Sequence, residues 1–157
     1  MEELSKQVGA FLKEKQWKLT VAESCTGGGV GASITNIAGS SSWFDRGFIT
    51  YSNESKTEML GVSLKTIETY GAVSKETVLE MAKGALMRSA AQISVAISGI
   101  AGPDGGSPEK PVGTVWIAWA GKVESRAQCF VFKGDRQTVR RQAIDSALKG
   151  ILAAGDL

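Results

Sequence analysis

The order in which the hydrophobic period changes along this chain limits its fold more than any other feature. Leu4, Val8, Phe11 and Leu12 recur at helical spacing over residues 3–15, and a short strand is expected over 18–22. Directly after it, Glu23-Ser24-Cys25-Thr26 gives way to Gly27-Gly28-Gly29 and then to Val30, Ile34 and Ile37. That is the pattern of a helix launched from a tight strand-to-helix turn. A second strand is predicted over 48–51, ending at Ser52-Asn53, which suit the cap of a helix through Lys56, Met59 and Leu60. Helices follow over 63–70 and 75–90, then a buried strand over 93–98 that runs into Gly99-Ile100-Ala101-Gly102-Pro103-Asp104-Gly105-Gly106. Strands over 113–120 and 127–132 make a late hairpin, and Asp135 caps a final helix to about residue 153. Early strand–helix alternation with a late hairpin predicts an α/β fold: a single three-layer α/β/α domain over residues 1–157, with a mixed sheet and helices on both faces.

Composition removes whole classes of chemistry. The 157 residues include no histidine, so a Ser-His-Asp triad, a Cys-His dyad and histidine metal ligation are all impossible. Cys25 and Cys129 lie far apart and are expected as free thiols rather than a disulfide or a zinc site. Neither a metal nor a cofactor is expected. With 18 basic and 16 acidic residues spread along the chain, no basic stripe marks a nucleic-acid partner. The N-terminus lacks the regions of a signal peptide, and no apolar run reaches the roughly 18 residues of a membrane span. A cytoplasmic location without membrane attachment is therefore expected. What remains for hydrolysis is a serine or threonine nucleophile activated by lysine or tyrosine, or a purely electrostatic phosphoryl-transfer site.

Each candidate residue also has a plainer role. Thr26-Gly27-Gly28-Gly29 lacks the lysine and spacing of a P-loop, and Gly99-Ile100-Ala101-Gly102 is no dinucleotide fingerprint. Both read either as tight turns or as places where backbone N–H groups approach a phosphate or a developing oxyanion. Ser24 reads equally as a helix N-cap, Lys56 as a solvated surface charge and Tyr51 as a half-buried packing residue. Trp43, Trp116 and Trp119 suit core or interface packing better than a ligand cage.

Taken together, the motifs are no longer anonymous. They comprise Ala22-Glu23-Ser24-Cys25-Thr26-Gly27-Gly28, Ile37-Ala38-Gly39-Ser40-Ser41, Arg46-Gly47-Phe48, Tyr51-Ser52-Asn53-Glu54-Ser55-Lys56 and Gly71-Ala72-Val73-Ser74. Ser98 to Gly106, Lys110 to Val115, Gly134-Asp135-Arg136 and Arg140-Arg141-Gln142 complete the set. In these the chain closely resembles the CinA C-terminal domain family, which includes stand-alone nicotinamide-nucleotide amidases. The resemblance implies hydrolysis of the carboxamide of nicotinamide mononucleotide to nicotinic acid mononucleotide and ammonia, with Ser24, Tyr51 and Lys56 as the catalytic group. It also implies the family's stand-alone form, since the longer members carry an additional N-terminal domain.

Under that implication, Ser24 attacks the carboxamide carbon, its proton passes to Lys56 directly or through Tyr51, and water hydrolyses the acyl-enzyme. Lysine does this only when neutral, and bringing its pKa from about 10.4 to about 7.5 takes roughly 4 kcal/mol of destabilisation of the ammonium. Burial, nearby positive charge, the helix N-terminus after Asn53 and the bound pyridinium are the expected sources. Oxyanion donors are expected among the backbone N–H groups of Thr26, Gly27 and Gly28, or at Gly102. Phosphate contacts are expected from Arg136, Arg140, Lys110 and the Gly105-Gly106 backbone. The partner is then a small-molecule nucleotide. A non-catalytic nucleotide-binding or regulatory module, and an amidase for a pyridine carboxamide lacking the phosphate, are the alternatives. A homo-oligomer is expected, a symmetric dimer by base rate, with aromatics on the Trp116–Trp119 hairpin suited to the contact.

Overall fold

In the computed structural model, which describes residues 1–157, the expected mixed sheet is five-stranded with the order β2-β1-β3-β4-β5. Strands β1 (Leu19–Glu23), β2 (Phe44–Ile49) and β3 (Ile93–Gly99) run parallel; β4 (Thr114–Gly121) and β5 (Ser125–Val131) extend the sheet as an antiparallel hairpin. Helices α1 (Glu2–Lys15), α2 (Gly29–Thr35) and α6 (Arg136–Leu152) form one outer layer. Helices α3 (Asn53–Leu60), α4 (Leu64–Tyr70) and α5 (Lys75–Met87) form the other.

The two faces are built from different side chains. Toward α1, α2 and α6 the strands present Val21, Val95, Val115, Ile117 and Trp119, packed on Leu12, Ile34, Leu148 and Ile151. Toward α5 the alternate positions are Ala22, Ala96, Ala118 and Ala120, packed on Val78, Met81, Ala82 and Ala85. Bulk on one face and alanine on the other follow from the period-two alternation of a strand, and alanine lets α5 lie close to the sheet. β1 is buried along its whole length, as a central parallel strand covered on both faces must be.

Two expectations need correction. The second strand is Phe44–Ile49 rather than 48–51, and Tyr51 lies beyond its end. β2 pairs with β1 from Leu19↔Phe44 to Glu23↔Ile49, so its span is set by where β1 ends. Asp45, Arg46 and Gly47 conceal it in the sequence because β2 is an edge strand, where charge is tolerated on the open side. Trp119 is no surface aromatic: it is 2% exposed and its indole N–H donates to Ala147 O at 3.0 Å, which leaves half-buried Trp116 alone of that hairpin pair near the surface. No helix is long and apolar enough to cross a membrane.

The strand order also fixes where a ligand can lie. From β1 the chain crosses to β2 on one side, then returns to place β3 on the other, so the loops leaving β1 and β3 diverge at their carboxyl ends. A crevice opens at such a switch point.

Candidate active site

Ser24 is the first residue beyond β1, and its N–H donates to Ile97 O at 3.0 Å, which fastens it to β3. The turn after it is held from several directions. Glu23, 1% exposed, accepts from Thr26 Oγ1 at 2.6 Å, Val30 N at 2.9 Å and Gly31 N at 3.0 Å. The carboxylate thus engages the first donors of α2 and complements the helix dipole from inside the protein. Gly27 and Gly28 take φ values of 58° and 101°, a left-handed backbone that glycine adopts without steric cost. Gly27 N closes on Ser24 O at 3.0 Å and Gly29 N on Thr26 O at 2.9 Å. From α6, Arg140 donates through Nε to Cys25 O at 3.0 Å and through Nη2 to Thr26 O at 3.1 Å.

Lys56 arrives from the opposite layer. Ser52 caps α3 by accepting from Ser55 N at 3.1 Å, and Lys56 sits early in that helix. Side chains on a helix lean toward its N-terminus, so Lys56 reaches back to the carbonyls that precede its own helix. Its Nζ lies 2.9 Å from Thr50 O, 3.2 Å from Tyr51 O, 3.4 Å from Ser52 O and 3.0 Å from Ser24 Oγ. Ser24 Oγ in turn lies 3.3 Å from Tyr51 O.

Lys56 is 1% exposed, and burial pulls its pKa from 10.5 down to about 8, a nearby Glu54 charge opposing the shift. Burial, one of the causes expected from the sequence, accounts for the lowering; the nearby charges act in the opposite direction to the one expected. A neutral amine carries two N–H donors and one lone pair. With two donors on the surrounding carbonyls, the lone pair is free to accept the Ser24 proton when that hydroxyl turns from Tyr51 O. Cys25 is a neighbour of another kind: burial pushes its thiol up to about 11, so it stays protonated and a poor nucleophile.

A cavity of about 290 Å³ opens over the pair at the switch point between β1 and β3. Of the residues expected from the sequence, Ser24, Tyr51, Lys56, Gly102, Gly105 and Arg136 line it. Tyr51 contributes differently from its expected role. Its carbonyl meets Ser24 and Lys56, whereas its side chain is largely exposed and its hydroxyl accepts from Arg136 Nη2 at 3.3 Å. Arg136 also donates through Nη1 to Gly102 O at 2.7 Å, tying the start of α6 to the glycine loop.

Six residues expected to contact substrate lie outside the cavity lining. Thr26, Gly27 and Gly28 form the turn beneath Ser24, with Thr26 bonded to Glu23. Arg140 clamps that turn. Gly106 packs against Val112, and Lys110 donates to Tyr70 O at 2.8 Å, at the C-terminus of α4. Conversely, Asn53 and Ser98 line the cavity, although the sequence offered Asn53 only as a cap residue and both only as members of longer motifs, not as site residues. Ser98 could have been found only from the pairing of β3 with β1, which brings it beside Ser24.

An α/β domain that buries a serine hydroxyl against a lysine amine at the carboxyl ends of its parallel strands has the parts of a serine–lysine hydrolase. The chain belongs to the CinA C-terminal domain family, whose model matches residues 1–154. It is 56% identical over 156 residues to a protein of Enterobacter agglomerans named nicotinamide-nucleotide amidohydrolase PncC, covering 97% of this chain and 93% of that protein. A Pseudomonas putida protein of the same name is 49% identical over 152 residues, covering 97% and 95%. Among solved structures, the competence/damage inducible protein CihA from Agrobacterium tumefaciens superposes with a TM-score of 0.94 at 43% identity, over 97% of this chain and 93% of that one.

Proposed function

We propose that this chain hydrolyses the carboxamide of nicotinamide mononucleotide, with Ser24 as nucleophile and Lys56 as its base. The observation that carries the reading is the 3.0 Å contact between Lys56 Nζ and Ser24 Oγ in a buried setting that lowers the lysine pKa to about 8. The proton passes straight to the amine, the shorter of the two routes open to it. Ser24 Oγ forms its bond to the carboxamide carbon, Lys56 returns the proton to the leaving nitrogen, and ammonia departs. Water, deprotonated by the same lysine, then bonds to the acyl carbon; the bond from that carbon to Ser24 Oγ breaks, Lys56 returns its proton to Oγ, and the acid leaves.

Specificity for a nucleotide falls to the rim. Arg136 retains guanidinium N–H groups beyond those on Gly102 O and Tyr51, and these, with the Gly102–Gly105 backbone, suit a phosphate. Tyr51, on the same rim, offers its ring and hydroxyl to the ribose. The names of the relatives supply the substrate class, and the missing histidine leaves lysine as the base within reach of Ser24.

Ammonia release measured with nicotinamide mononucleotide, its riboside and free nicotinamide tests the proposal. Turnover of the mononucleotide with a kcat/KM at least about tenfold above that of the riboside is expected, since losing the phosphate contacts removes over 1.4 kcal/mol. Binding of the mononucleotide without ammonia release would contradict it and point to a non-catalytic binding module.

A further inference from the structure

Ser98 is a buried polar residue of the cavity to which the mechanism above gives no task. In β3 the alternate positions Ser94, Ala96 and Ser98 share the face that looks toward α5. Ser94 uses its hydroxyl structurally, donating to Ala82 O at 2.7 Å. Ser98 is as well buried, at 1% exposed, yet its hydroxyl has no partner in the protein, and it lines the cavity with Ser24 and Lys56.

Its position relative to the nucleophile is set by the sheet. Parallel pairing places Ile97 opposite Glu23, so Ser98 follows beside Ser24 on the neighbouring strand, at the roughly 5 Å spacing of adjacent strands. Lys56 reaches Ser24 from the other flank, through the carbonyls of Thr50 to Ser52 that follow β2. A carboxamide above Ser24 therefore spans from the Lys56 side to the Ser98 side. Lys56 must hand its proton to the nitrogen, so the nitrogen takes the Lys56 side and the oxygen falls toward Ser98. Backbone donors next to the nucleophile are partly engaged, since Ser24 N is bonded to Ile97 O and Gly27 N to Ser24 O.

We infer that Ser98 is a further catalytic residue, its hydroxyl donating to the carboxamide oxygen as that oxygen takes on negative charge. This rests on the amidase reading given above. As the bond from Ser24 Oγ to carbon forms, the π electron pair of the carbonyl moves onto oxygen. Ser98 donates a hydrogen bond to it and keeps its proton throughout. The pair returns when the carbon–nitrogen bond breaks.

Ser98→Ala, compared with the wild type on nicotinamide mononucleotide in one ammonia-release assay, tests the inference. A donor to the oxyanion acts in the transition state, so kcat should fall about 10²-fold with KM within about threefold of wild type. The melting temperature should stay within about 2 °C, because the substitution removes no hydrogen bond inside the protein. A kcat within about threefold of wild type, or a raised KM with kcat unchanged, would overturn the role. Wild-type protein that releases no ammonia would instead overturn the amidase reading itself, and this inference with it.

Discussion

Lys56 shows how one residue joins stability to function. Its ammonium is a buried charge facing carbonyls and a serine hydroxyl, with no salt-bridge partner, so the folded state favours the neutral amine. The pKa of about 8 in the folded chain, against 10.5 for an unperturbed lysine, sets two signs. In the proposed mechanism the base is the deprotonated form, so kcat/KM for ammonia release should rise with pH to a midpoint near 8 and then level off. A pH–rate profile checks this, and a flat response from pH 6.5 to 9.5 would count against lysine as the base. Between pH about 8 and 10.5 the unfolded chain holds the proton that the folded chain has lost, so this group's contribution to stability rises with pH there. Ser24 and Lys56 were legible as candidates through the motifs of the family resemblance, and the proposed chemistry rests on their side chains. The contribution of Tyr51 to the lysine pocket was not legible, because it is made by a main-chain carbonyl that any residue could supply.

Among the elements, the strand–turn–helix from β1 to α2 carries the most consequence for its length. Glu23 was read in the sequence only as a neighbour of Ser24, yet its carboxylate holds the turn and the start of α2 together. Its role escaped notice because a buried acid satisfied by backbone N–H groups resembles, in sequence, any surface glutamate. Glu23→Ala removes the acceptor from three donors, and chemical denaturation should show a loss of about 2–4 kcal/mol. Stability within 0.5 kcal/mol of wild type, a difference typical of surface substitutions at about that size, would mean that the turn holds without it. The helices and central strands were legible because their apolar periods are strong. β2 was displaced in the sequence reading because an edge strand needs no such period: Asp45 is bonded to Arg46 and to Ala90 N rather than buried in a core.

At the scale of the whole molecule, the three layers bring the groups of the proposed mechanism to one point. The sheet delivers Ser24 and Ser98 from adjacent parallel strands, the α3–α5 layer delivers Lys56, and the α6 layer braces the turn through Arg140 and the rim through Arg136. The fold class followed from the order of periods. The meeting of these side chains did not, since strand order is a long-range property: β3 joins the sheet beside β1, some seventy residues away in sequence. Every part of this arrangement converges on the Ser24 hydroxyl, and removing that one oxygen leaves the packing around it intact. The most direct measurement is therefore kcat/KM for ammonia release from nicotinamide mononucleotide by Ser24→Ala beside the wild type. A fall of at least about 10³-fold, with a cooperative melting transition retained, is expected for loss of a covalent nucleophile, and activity within about tenfold of wild type would contradict the account.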